Sequence, residues 1–114
     1  MAGYIRLYAD AEGETHFEDV TVELGADNRA QLIPTTGVIF ATHKAGYFSD
    51  WHGVSRRQFV VTLSGSSELT TSDGETRRTQ PGTIMLCEDV VGKGHQLRIL
   101  EDRVCLYVPA PMSL

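Results

Sequence analysis

The stretch GYFSDWHGVSRRQFVVTLSGSSELTTSDGETRRTQPGTIMLCED, residues 46–89, decides the fold. Short runs rich in Val, Ile, Thr and Phe, such as Phe59-Val60-Val61-Thr62-Leu63, are punctuated by Gly, Asp and Pro. That is the strand signal, because β-branched and aromatic side chains suit a pleated surface while Gly and Pro end it. Asp73-Gly74 lies between two such runs and predicts a type I′ hairpin, which needs positive φ at both central positions. Gln80-Pro81-Gly82 predicts a type II turn, with Pro setting φ and Gly taking the positive-φ position. Working outward, the same pattern predicts strands near residues 4–8, 15–24, 37–42, 58–63, 67–72, 75–78, 83–88, 96–100 and 104–108. No window carries a helical apolar stripe, and Asp27–Gln31 forms at most a turn. Nine short strands with regular turns predict an all-β sandwich or barrel.

The chain has 114 residues, a length that suits one domain spanning residues 1–114. Hydrophobic residues make up 41% and charged residues 22%, an ordinary globular balance. The formal net charge of −5 disfavours nucleic acid and anionic membrane surfaces as partners. The pairs Arg56-Arg57 and Arg77-Arg78 are too short to reverse that field, although one arginine in a pocket can still hold a small anion. No apolar run reaches the roughly 20 residues that span a bilayer. The N-terminus lacks a basic region followed by an apolar one, so the expected location is the cytoplasm. Cys87 and Cys105 sit in apolar strand-like runs and read as buried small hydrophobes. No CxxC or Cys/His finger spacing points to structural zinc.

From Gly46 the spacing becomes specific: five residues to His52-Gly53-Val54, three more to Gln58, and six more to Gly65. Later come Gly74, Gln80-Pro81-Gly82, Met85 and Asp89. The two stretches, 46–65 and 74–89, resemble the first and second motifs of the cupin superfamily. The likeness extends to a group of small, single-domain barrel proteins through Gly13–Val20, Trp51-His52, Arg56-Arg57-Gln58 and Glu88–His95. The resemblance implies a cupin double-stranded β-helix, or jelly-roll barrel, in a single domain, commonly paired as a homodimer. It also implies that the slots for the four metal ligands of that superfamily hold His52, Val54, Gln58 and Met85. Valine cannot coordinate, a thioether is a poor ligand for Mn, Fe(II) or Zn, and a neutral amide supplies no charge. No cofactor is expected, and at most a weak divalent-metal site at His52 and Gln58.

The catalytic candidates are His52, Gln58, His95 and Asp89. His52 and Gln58 share a strand-face parity, so an amide could hold the imidazole in one tautomer or orient a substrate carbonyl. His95 follows the Gly92-Lys93-Gly94 loop, which either aims it at the barrel mouth or exposes it. Asp89 has the parity to look inward near Met85, where a carboxylate beside His52 or His95 would support proton transfer. Val54 and Met85 are expected to make the substrate pocket apolar. His16 and Glu18 join it only if their strand face is the inner one, and Arg57 is a carboxylate clamp or a surface ion pair. Trp51 is expected on the outer face.

Three readings follow. The first is a small-molecule enzyme of isomerase, dehydratase/lyase or cyclase type, using a barrel-interior His without a tightly bound metal. The second is a metal-dependent cupin dioxygenase or lyase with ligands from His52, Gln58, His95 or His16. The third is a non-catalytic module that binds a small molecule. Nucleophilic catalysis has no Gly-x-Ser-x-Gly and no cysteine beside a basic residue to support it.

Overall fold

The computed structural model describes residues 2–111. Eight strands follow in order: β1 (Ala2–Ala9), β2 (Thr15–Val22), β3 (Ile39–His43), β4 (Phe48–His52), β5 (Gln58–Thr71), β6 (Thr76–Thr79), β7 (Ile84–Cys87) and β8 (His95–Pro109). Among the described residues no helix is long and apolar enough to cross a membrane. The strands form one continuous sheet in the order β2-β1-β7-β5-β8-β3, with β4 added to β8 and β6 to β5.

The long antiparallel pair β5–β8 organises everything else. It runs from Gln58 opposite Pro109 to Thr71 opposite His95. The first part of β5 pairs with β7 and the last part with β6. The last part of β8 pairs with β3 and the first part with β4. Between these halves the ladder changes register between Thr62 and Ser67. Bulges of this kind bend a strand and increase its twist. Gly65 stands at the bend with φ of 79°, and a Cβ there would lie 2.1 Å from the carbonyl oxygen of Asp102. Only glycine lets the two backbones approach so closely.

The bend folds the sheet over, so that its halves face each other. Leu7, Phe17, Met85 and Cys87 from one half form a buried cluster with Leu69 from the other, and Ile5, Val54, Val60 and Leu97 pack against it. Alternation sends Phe59 and Leu86 to the opposite face, where they pack with Ala110, Tyr4, Ile33 and Val108. Both faces of β7 are therefore covered at its centre, which explains its unbroken apolar run Ile84-Met85-Leu86-Cys87.

Four expectations change. Phe48–His52 is a strand outside those predicted, because its pairing to β8 is long-range and its Ser-Asp centre carries no strand signal. The strands expected at 58–63 and 67–72 are one, since Ser64-Gly65-Ser66 bends the ladder without ending it. Those at 96–100 and 104–108 are likewise one, continuous through Glu101-Asp102-Arg103. The Asp73-Gly74 hairpin is not type I′: Gly74 N–H donates to Thr71 O and Thr71 N–H to Glu75 O, with positive φ at Gly74 and not at Asp73. This is the three-residue loop of a type I turn followed by a left-handed glycine. The type II turn forms as expected, with Thr83 N–H donating to Gln80 O and Gly82 at φ of 94°.

Gly65→Ala is expected to lower unfolding stability by about 2 kcal/mol or more, since a left-handed φ and a backbone overlap act together. Urea denaturation checks this, and a loss below about 0.5 kcal/mol would show that the bend tolerates a side chain.

Candidate functional site

The site assembles where the end of β4, the loop after β7 and the start of β8 meet. Gly94, at φ of 77°, makes this meeting possible, because a Cβ there would lie 2.4 Å from the carbonyl of His52. The loop is tied down from the other side. Thr15 Oγ1 donates to Gly94 O at 2.6 Å and accepts from Ser72 N–H at 2.8 Å, while Lys93 N–H donates to Gly13 O at 2.8 Å. His95, next along the chain, thus starts β8 from a fixed point.

His95 is 4% exposed and Asp89 is fully buried. His95 Nδ1 lies 2.6 Å from Asp89 Oδ2. A carboxylate oxygen accepts, so Nδ1 carries the proton and Nε2 is left as the ring's basic lone pair. Asp89 Oδ1 is buried without a hydrogen-bond partner, so the carboxylate depends on the imidazole for its compensation. The His52 ring sits 4.5 Å from that of His95, centroid to centroid, at 53°. Its Nδ1 donates to Asp50 O at 2.7 Å, which again leaves Nε2 as the acceptor.

A cavity of about 110 Å³ opens between the sheet halves. That is below the ~300–1,000 Å³ of drug-sized sites and well above the space for one water. His52, Val54, Gln58, Met85 and His95 all line it. Asp89 does not; it stands behind His95 in the wall. His52 is exposed at the mouth, not enclosed in the interior. Val60, Leu69 and Leu97 add to the apolar lining.

Three nominated residues lie elsewhere. His16 is outside the barrel, with Nε2 2.7 Å from Asp10 Oδ2 and Nδ1 2.9 Å from Asp73 Oδ2. It ties the β1–β2 hairpin to the β5–β6 hairpin. Glu18 pairs on the surface with Arg6 at 3.2 Å. Arg57 is an outer-face ion pair, its Nε donating to Glu88 Oε2 at 2.6 Å and its Nη1 to Ala110 O at 2.9 Å. Alternation explains these placements: Glu88 and Asp89 point to opposite faces, and Arg57 follows Glu88 outward. Burial works against the Glu88 charge, but the hydrogen bonds from Arg57 and Arg6 outweigh it and hold the carboxyl below its ordinary range.

The far end of the cavity holds residues the sequence did not nominate. Arg103 and Tyr107, both from β8, line it. Arg103 Nη2 donates to His43 Nδ1 at 3.2 Å, and Tyr107 Oη lies 3.4 Å from His43 Nε2. Burial, and then the Arg103 charge, hold the His43 imidazole below its ordinary pKa, so it stays neutral and accepts from the guanidinium. Cys87 also lines the cavity, but burial and then the Asp89 charge push its thiol up, which removes it as a nucleophile at neutral pH.

The donor set does not fit a cupin-type metal. Among the described residues no group of three or more His, Cys, Asp or Glu side chains is placed to hold an ion. On the cavity wall Val54 cannot coordinate and Met85 is a soft donor, while His52 and His95, each held at Nδ1, offer one Nε2 apiece, too few for a tight site.

No protein-family model matches the chain, and no curated protein matches it. Solved structures that share its fold include these two. One is a conserved protein of unknown function, SPY1581, from Streptococcus pyogenes, with a TM-score of 0.55 and 23% identity over 82% of each chain. The other is a putative ethanolamine utilization protein Q from Salmonella typhimurium LT2, with a TM-score of 0.55 and 15% identity over 99% of this chain and 98% of that one. The fold is a cupin-type jelly-roll barrel. At these identities the likeness is one of fold alone.

His16 gives a pH test of its corrected place. The hydrogen bond to Asp10, and then the one to Asp73, raise its pKa above the usual value near 6.5. Its contribution to stability is therefore fully present below about pH 6.5 and lost as pH rises through the raised value. His16→Gln is expected to be less stable than the parent near pH 6, with the gap narrowing by about pH 9 in urea titrations. A gap that widens with pH would contradict this account.

Proposed function

We propose that this barrel holds a small molecule in its cavity and moves a proton on it, with His95 as the base. The observation that carries the reading is the buried His95–Asp89 pair at 2.6 Å, set in the wall of an apolar cavity. Asp89 fixes the tautomer, orients the ring and stabilises the imidazolium that forms, so Nε2 is the nitrogen that reacts. In one cycle Nε2 takes a proton from a carbon beside a carbonyl, and the imidazolium then returns it. Return to a different atom of the same molecule is isomerisation; return to a departing hydroxyl releases water. The Gln58 amide is positioned on the same cavity to donate to the carbonyl oxygen as its charge grows.

His52 has a different part from the one the sequence implies. Its ring stacks obliquely on His95 and is open to solvent, so it is placed to pass protons between the buried base and water. The apolar walls keep other water out and strengthen the few polar contacts inside. A binding module without turnover is the competing reading, and the same cavity would serve it.

The test is solvent-deuterium exchange into a panel of small carbonyl compounds, followed by NMR. The parent protein is expected to accelerate exchange for at least one member. His95→Gln should reduce the rate by about 100-fold or more, and Asp89→Asn by a smaller factor. Full exchange activity in His95→Gln would sink the assignment. Ligand binding with no exchange in the parent would favour the binding module.

A further inference from the structure

Among the described residues, Arg103 is a cation inside the barrel with no partner acid in place. It is 3% exposed, lines the cavity, and has no Asp or Glu at ion-pair distance among the described residues. Its hydrogen-bond neighbours are neutral. Nη1 lies 3.4 Å from Ser67 Oγ, a hydroxyl already engaged with Thr79 Oγ1, and Nη2 donates to the uncharged His43. Nε is buried with no hydrogen-bond partner at all. Asp89, the buried acid, is committed to His95.

A guanidinium does not give up its proton in a protein, so burial cannot neutralise Arg103 as it would a lysine. A buried charge with an idle N–H is costly unless something of opposite sign completes it. The completing group comes from the cavity side, because the protein supplies none. A planar fork matches a carboxylate, which accepts two parallel N–H bonds. One guanidinium with no second cation balances one negative charge, which suits a carboxylate better than a phosphate dianion. The remaining walls, Val60, Leu69, Leu97 and Met85, take a short apolar body.

Arg103 and His95 belong to the same strand, and the β5–β8 bend brings both to the one cavity. The guanidinium turns back toward Ser67, which pairs with Ile99, midway along the strand from His95. We propose that Arg103 is the recognition group for a small monocarboxylic acid, held by its carboxylate at the Arg103 end with its other end toward His95. The second half of that statement rests on the acid–base reading of His95; the first does not.

Titration calorimetry and thermal shift on the full chain test it, with propionate, its neutral counterpart propionamide, and inorganic phosphate as probes. Propionate is expected to bind and to raise the melting temperature, while propionamide and phosphate do so at least about tenfold more weakly. Arg103→Met should abolish the preference for acid over amide, and Arg103→Lys should keep part of it. Equal binding of acid and amide, a preference for phosphate, or parental selectivity in Arg103→Met would each overturn the proposal. If Arg103→Met does not fold, the acid–amide comparison on the parent and the Lys variant still decide. Exchange activity without acid selectivity would sink this inference alone; acid selectivity without exchange would sink only the acid–base reading.

Discussion

The β5–β8 ladder is the constraint on which the barrel depends. Two strands of 14 and 15 residues are too long to stay flat, and each pairs with different neighbours at its two ends. The register shifts beside Gly65 let one ladder belong to both halves of the sheet. Closure of the halves then creates a shared interior in which Leu69 and Leu97 face Met85 and Cys87. The cavity is what this interior leaves unfilled. Its two polar ends, His95 and Arg103, come from a single strand because that strand runs along the whole barrel.

Polar groups within such an interior are held to a strict standard, since each must be compensated or it weakens the fold. Most are compensated visibly: Thr15 bridges Ser72 and Gly94, and Ser67 meets Thr79. Among the described residues in and behind the cavity wall, the exceptions are Asp89 Oδ1, behind His95, and Arg103 Nε, at the far end. An unpartnered N–H on a buried guanidinium that lines a cavity points to chemistry and not to packing. The outer ion pairs contrast with this. Glu88 with Arg6 and Arg57, or His16 with Asp10 and Asp73, join strand ends and hairpins without access to the cavity.

Much of the barrel was legible from the chain, because alternation and turn chemistry are local. The type II turn at Pro81-Gly82 follows from two residues, and β1, β6 and β7 follow from short strand-forming runs. The failures share one cause. Phe48–His52 becomes a strand only because β8 offers it an edge, and Ser64-Gly65-Ser66 looks like a break unless the facing Asp102 carbonyl is known. Arg103 falls in the charged Glu101-Asp102-Arg103 run between the two predicted strands, where only parity bears on its burial. An odd spacing from Cys105 was absent: position 103 shares parity with the apolar positions 105 and 107 of β8, and that was the one available hint.

By itself, the sequence determined an all-β chain with turns at Asp73-Gly74 and Pro81-Gly82. It put His52 and Gln58 on one strand face and left His95 either aimed at the barrel mouth or exposed. Only the tertiary structure decided that Asp89 serves His95, that His52 stands at the mouth, that His16, Glu18 and Arg57 lie outside, and that Arg103 lies inside. The physical reason is that face and turn are set by neighbours in the chain, whereas burial of a charge is set by what the bent ladder brings against it from 24 or more residues away.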